Sequence, residues 1–174
     1  MKRYFFKISY NGTSFFGWQK QSSEVSVQET IEENMSKIQS HKEVSIVGCG
    51  RTDTGVHAKE YFFHWDDQYG NDIKQMQYKL NKMLPESIAV HEVFSVKVDQ
   101  HARFSATQRT YRYFIHTEKD PFLIERSWRI AQRLDLKKMN KRVDVENELS
   151  ESIKDVSLRN FLLKNLFWSA PQKL

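Results

Sequence analysis

The sequence predicts an α+β chain: a four-stranded, mainly antiparallel sheet with two helices, followed by an incomplete second unit. Three observations carry this. Residues 3–10, RYFFKISY, alternate with a period of two, as a strand does. Two later stretches repeat apolar residues at helical spacing, each behind a side chain that can cap a helix. The order of these signals is β-α-β-β-α-β, the split βαβ or ferredoxin-like pattern.

The elements follow in order. Tyr4, Phe6, Ile8 and Tyr10 share one face of strand one, and Asn11-Gly12 signals a turn. Phe15-Phe16-Gly17-Trp18 reads as an aromatic loop whose rings belong to packing. Ser26 and Glu29 form a capping box for helix one, whose apolar face is Val27, Ile31, Met35 and Ile38. Residues 43–47 are strand two and residues 60–65 strand three. Asp72 with Gln75 starts helix two, Ile73, Met76, Leu80 and Met83/Leu84 line it, and Pro85 stops it. Strand four spans 88–98. This divides the chain into a lobe at 1–100, the opening of a second lobe at 101–141, and a tail at 142–174. In the second lobe, residues 109–117, RTYRYFIHT, alternate as a fifth strand, and a helix begins near Leu134. Leu149, Ile153 and Val156 suggest a helical tail.

The totals exclude several classes. Of 174 residues 13% are aromatic, which argues against disorder. One cysteine, Cys49, rules out an internal disulfide and makes a reducing, cytoplasmic setting the default. Lys7 interrupts the first apolar run, so it makes a poor signal peptide, and no run has membrane-spanning length. The net charge of +5 is concentrated. Residues 101–142 carry 11 basic and 4 acidic side chains, while the segments on either side are each net −1. A basic stretch in an otherwise neutral chain points to a polyanion such as nucleic acid, or to a solvated basic surface.

Between strands two and three lies Gly48-Cys49-Gly50-Arg51-Thr52-Asp53-Thr54-Gly55-Val56-His57-Ala58. A polar, glycine-dense loop held between strands is a common seat of chemistry. A metal site would need a third spaced ligand beside Asp53 and His57. A P-loop would need a Gly-Lys-Ser/Thr ending, which is missing. Asp53-Thr54-Gly55 reads as the D-T-G of aspartic proteases, but that chemistry needs two carboxylates sharing a proton. The remaining use is a single aspartate, acting as nucleophile or stabilising a sugar cation, with Arg51 orienting it. The plain alternative is a tight turn with a solvated Asp.

The string GRTDTGVHA resembles the signature of the tRNA pseudouridine synthases of the TruA family. YNGTSFFGWQKQ with SVQETIE resembles that family's amino-terminal motif, and ARFSATQRTYRYFI its second active-site segment. The resemblance runs from about Tyr4 to about Asn140. It implies the pseudouridine synthase fold. It implies a tRNA substrate, at uridines 38, 39 and 40 of the anticodon arm, and isomerisation by cutting the glycosidic bond and rejoining the uracil through carbon 5. It implies no metal and no organic cofactor. It makes Asp53 catalytic, matches Arg51 and Tyr111 to substrate-binding positions, and matches Arg103 and Arg109 to basic positions that would contact RNA. It brings in a homodimer as a partner, and no membrane. Family members run further, with more strands and a basic residue facing the aspartate, and residues 142–174 do not resemble them. Two functions therefore stay open: a pseudouridine synthase, and a non-catalytic RNA-binding module of that build.

Overall fold

The structure, a computed structural model, describes residues 1–124, 126–132, 134–135 and 167–169. Its centre is β1 (Lys2–Tyr10), which runs antiparallel to β3 (His57–Asp67) on one side and to β4 (Ile88–Val96) on the other. A short β2 (Val47–Gly48) adds antiparallel to β3. These pairings give the order β4-β1-β3-β2. β1 is paired on both edges, and Phe5 and Phe6, which point to opposite faces, are both buried. Phe6 stacks on its cross-strand partner Phe63 at 4.6 Å, and Phe5 lies against His64 and Phe94.

Helices α1 (Val27–Ile38) and α2 (Ile73–Met83) complete the core. Ser26 Oγ accepts the Glu29 amide at 3.2 Å and starts α1. Val27, Ile31 and Met35 are buried, with Ile38 packed at the edge. Positive φ at Ser40 and His41 ends the helical run. Asp72 Oδ1 accepts the amides of Lys74 and Gln75 and starts α2, which buries Met76 and Leu80. Pro85 follows its last turn.

Two strands are shorter than the sequence predicts. Residues 43–46 do not join the sheet. The backbone of Ile46 is taken by α1 instead: its amide donates to Glu32 Oε1 at 3.0 Å, and its carbonyl accepts from Gln28 Nε2 at 3.2 Å. Val44 and Ile46 are buried all the same. The expected strand at 109–117 is broken into β5 (Thr110–Arg112) and β6 (Ile115–His116). β6 leaves the main sheet and pairs with β7 (Trp128–Arg129). The break follows from hydrogen bonding, because the Phe114 carbonyl accepts the Trp128 amide at 2.7 Å. A three-residue strand, β8 (Phe167–Ser169), lies between β3 and β5, where the tail's pattern suggests helix. The helix expected from Leu134 to Asn140 and the rest of the tail lie outside the described residues. Among the described residues no helix is long and apolar enough to cross a membrane.

Candidate active-site loop

The loop between β2 and β3 is held almost carbonyl by carbonyl. The Cys49 amide donates to Phe62 O at 2.9 Å, and the Phe62 amide donates back to Cys49 Sγ at 3.2 Å. Burial pushes the Cys49 thiol well up, so this cysteine is a packed anchor and not a nucleophile. The Cys49 carbonyl accepts from Arg109 Nη2 at 2.9 Å. The Gly50 carbonyl accepts the Tyr61 hydroxyl at 2.6 Å. The Thr52 carbonyl accepts the Trp18 amide at 3.1 Å, and its hydroxyl bonds with the Tyr10 hydroxyl at 2.8 Å. Burial raises the pKa of both phenols, so they remain protonated and available as donors.

The aromatic loop after β1 is the floor of this site. Gly55 donates to Phe15 O at 3.1 Å, and Gly12 donates to His57 Nδ1 at 3.0 Å. Burial lowers the His57 pKa and keeps that nitrogen an acceptor. Gly17 has φ +80° and lies so near the Thr52 carbonyl that a Cβ would collide with it. Gly12 is equally tight against the Val56 carbonyl. Phe15 and Trp18 are buried, Trp18 resting on Tyr61 at 4.1 Å between ring centres. The sequence reading of these rings as packing holds for Phe15 and Trp18, which pack directly under the loop, but not for Phe16, which is 43% exposed.

What the frame presents is Arg51 and Asp53, both exposed on either side of buried Thr52. The Val56 amide closes a turn on the Asp53 carbonyl at 3.2 Å. The described residues contain no ion pair between Arg51 and Asp53; their salt bridges are Arg3–Asp66 and Lys7–Glu60. Among the described residues both side chains project from the loop, and no direct contact through which Arg51 would orient Asp53 is seen.

A cavity of about 530 Å³ opens beside the loop, lined by Gly50, Arg51, Arg103, Phe104, Arg109 and Tyr111. It gathers four of the five residues singled out in the sequence and leaves Asp53 outside its lining. Three guanidinium groups around one opening favour an anion. Tyr111 is 49% exposed on β5, free to offer a ring face. Arg109 is partly committed, through its bonds to the carbonyls of Cys49 and, at 3.4 Å, Arg103. Sequence reasoning missed Tyr10, Tyr61 and Gly12, which act through contacts between distant segments, and Phe104, which lies inside a motif but had no assigned role. Among the described residues no three His, Cys, Asp or Glu side chains are grouped to hold a metal ion.

The family model described as tRNA pseudouridine synthase matches residues 7–105. The chain is 45% identical over 142 residues to tRNA pseudouridine synthase A of Parabacteroides distasonis, covering 80% of this chain and 56% of that protein. It is 42% identical over 141 residues to the protein of the same name from Bacteroides fragilis, with the same coverage. It is 38% identical over 135 residues to that of Staphylococcus saprophyticus, covering 76% of this chain and 50% of that protein. The chain thus spans about half the length of the curated relatives it matches.

Proposed function

The chain belongs to the tRNA pseudouridine synthase family, and from that premise we propose that it isomerises uridine to pseudouridine in tRNA, at positions 38, 39 and 40 of the anticodon arm. The observation that carries this is the exposed Asp53, without a protein partner among the described residues, on a loop whose carbonyls at Cys49, Gly50, Thr52 and Asp53 are pinned. A group held in place needs little reorganisation when it reacts.

In this reading a target base is flipped out of its stack, at a cost of a few kcal/mol. Tyr111 offsets part of that by stacking on it. The Asp53 carboxylate then attacks the nucleoside, or stabilises the sugar cation, as the bond between C1′ and N1 breaks. The uracil turns, C5 bonds to C1′ as the C1′–Asp53 ester bond, where one has formed, breaks and frees the carboxylate, the C5 proton leaves, and N1 gains a proton. Atoms and electrons balance, so no redox partner is required. Arg51, Arg103 and Arg109 surround the cavity and serve the phosphates, which position RNA without reading its sequence. The antiparallel order β4-β1-β3-β2 with its two helices is the ferredoxin-like lobe of residues 1–100 in this reading, and residues 101–141 open the second lobe.

The test is pseudouridine formation in unmodified anticodon-arm RNA by the whole chain, with Asp53→Ala beside it. Equal product from the variant would sink the assignment of Asp53. The half-length coverage of the relatives favours a second reading, a non-catalytic RNA-binding module. That reading expects salt-sensitive tRNA binding with no isomerisation, and detectable turnover rejects it. Sedimentation of the purified chain tests the homodimer.

A further inference from the structure

Phe104 is the most exposed ring of the site. It is 78% exposed, yet it is not on a loose tip. Residues 101–105 form a tight turn: the Ser105 amide donates to His101 O at 2.8 Å, and the His101 amide donates to Ser105 Oγ at 3.0 Å. His101 Nδ1 accepts the amides of Arg103 and Phe104. The turn is anchored to the sheet from beneath, where the Ala102 amide donates to His64 Nδ1 of β3 at 3.1 Å in a buried bond. Burial lowers the His64 pKa to about 4, so the acceptor persists at neutral pH. The rings then stack outward. His64 meets His101 edge-on at 4.7 Å, and Phe104 stacks on His101 at 4.3 Å. One face of Phe104 is covered by His101, with the Arg103 guanidinium 5.9 Å from the ring centre. The ring lines the same cavity as Tyr111 and Arg51.

We propose that Phe104, backed by His101 and flanked by Arg103, is a shelf for an unstacked nucleobase next to the target uridine. The proposal rests on the RNA reading above and assigns a second base position within it. Flipping one base leaves its neighbour with a bare face, and an aromatic surface restores the lost contact. The charge selects this occupant: three arginines ring the cavity, so whatever covers Phe104 from that side carries anionic groups. An apolar partner segment would bury those guanidinium groups without a counter-charge, which is costly.

The experiment uses the whole chain and a short hairpin RNA of the anticodon arm. Two further RNAs each carry an abasic site, on one or the other side of the target uridine. A third set carries 2-aminopurine at those places. Phe104→Ala is expected to weaken binding of the intact hairpin roughly 5- to 150-fold, and Phe104→Trp to bind nearly as wild type. The slope of binding against salt stays unchanged, because no phosphate contact is lost. One of the two abasic RNAs binds wild type and Phe104→Ala equally, and 2-aminopurine at that same place is quenched by wild type only. The proposal is overturned if Phe104→Ala binds the intact hairpin normally, or loses the same factor on the intact and both abasic RNAs. It is also overturned if the variant's melting temperature drops while its RNA affinity does not, since the ring would then be covered by protein. Pseudouridine is assayed in parallel. Product without the abasic coupling rejects the shelf and keeps the enzyme; coupling without product rejects the enzyme and keeps the shelf. Absence of any RNA binding rejects both.

Discussion

Residues 2–96 and residues 101–116 use the same kinds of side chain in opposite ways. In the first region Phe6, Tyr61 and Phe63 are fully buried, and Phe6 meets Phe63 and Tyr61 meets Tyr10 across paired strands. In the second region Phe104, Tyr111 and Tyr113 are about half exposed or more. The first region has long antiparallel partners on both sides of β1, whereas β5 and β6 are only three and two residues long. One region is built to hold and the other to present. The loop carrying Asp53 belongs to both, clamped by Tyr10, Tyr61 and Trp18 from the first and by Arg109 from the second.

The largest effect should come from removing the group the frame presents. Asp53→Ala is expected to lower turnover by at least about a thousandfold and to leave the melting temperature unchanged, since the carboxylate has no partner among the described residues. Retained activity in an RNA isomerisation assay would break the idea that the frame exists to hold this residue.

The next change attacks the frame itself. Gly17→Ala combines φ +80° with a collision at the Thr52 carbonyl, and is expected to cost roughly 1–3 kcal/mol of stability. Activity should fall with it. Thermal unfolding at wild-type midpoint would show that the floor of the loop can yield.

Arg109→Ala probes the one clamp from the presenting region. With its bond to Cys49 O and its phosphate contact both lost, kcat is expected to drop about tenfold and the salt slope of RNA binding to fall by about one charge. An unchanged slope would confine Arg109 to clamping the loop.

A separate effect is the acid limb of stability. Burial holds His64 neutral, with a folded pKa of about 4 against an unfolded value near 6.5. Between those values the unfolded chain binds more protons. Stability is therefore full above about pH 6.5 and drains as pH falls toward about 4, by up to about 1.4 kcal/mol per pH unit. Nearby Arg3 and His101 depress the pKa further, and Asp66 opposes them. His64→Gln can keep an acceptor for Ala102 without titrating, so its denaturation midpoint should vary less over this range. An unchanged pH profile would mean that the anchor under the Phe104 turn is not coupled to protonation.

Much of the first region was legible in the chain. Period-two alternation placed β1, and the Ser26 and Asp72 caps with apolar residues three and four apart placed both helices. These are local signals, because the backbone needs are met by neighbours in sequence. The errors fall where a backbone group is claimed by something remote. Residues 43–46 have a strand's composition, but Gln28 and Glu32 of α1 take the Ile46 backbone. Residues 109–117 alternate without a break, but Trp128 claims the Phe114 carbonyl and divides them. The pairing of Arg51 with Asp53 was inferred from proximity in sequence, and among the described residues the two form no ion pair with each other.

By itself the sequence determined the element order of the first lobe, the position of the loop, and the residue types at the site: one carboxylate, the arginines and a tyrosine. The tertiary structure decided what those residues are free to do. Arg109 is drawn into holding the loop, Arg51 and Asp53 are unpaired among the described residues, and Phe104 is set on a histidine anchored in the sheet. The reason is that a side chain's chemistry is carried by its identity, while its availability depends on which distant donors and acceptors fold against it.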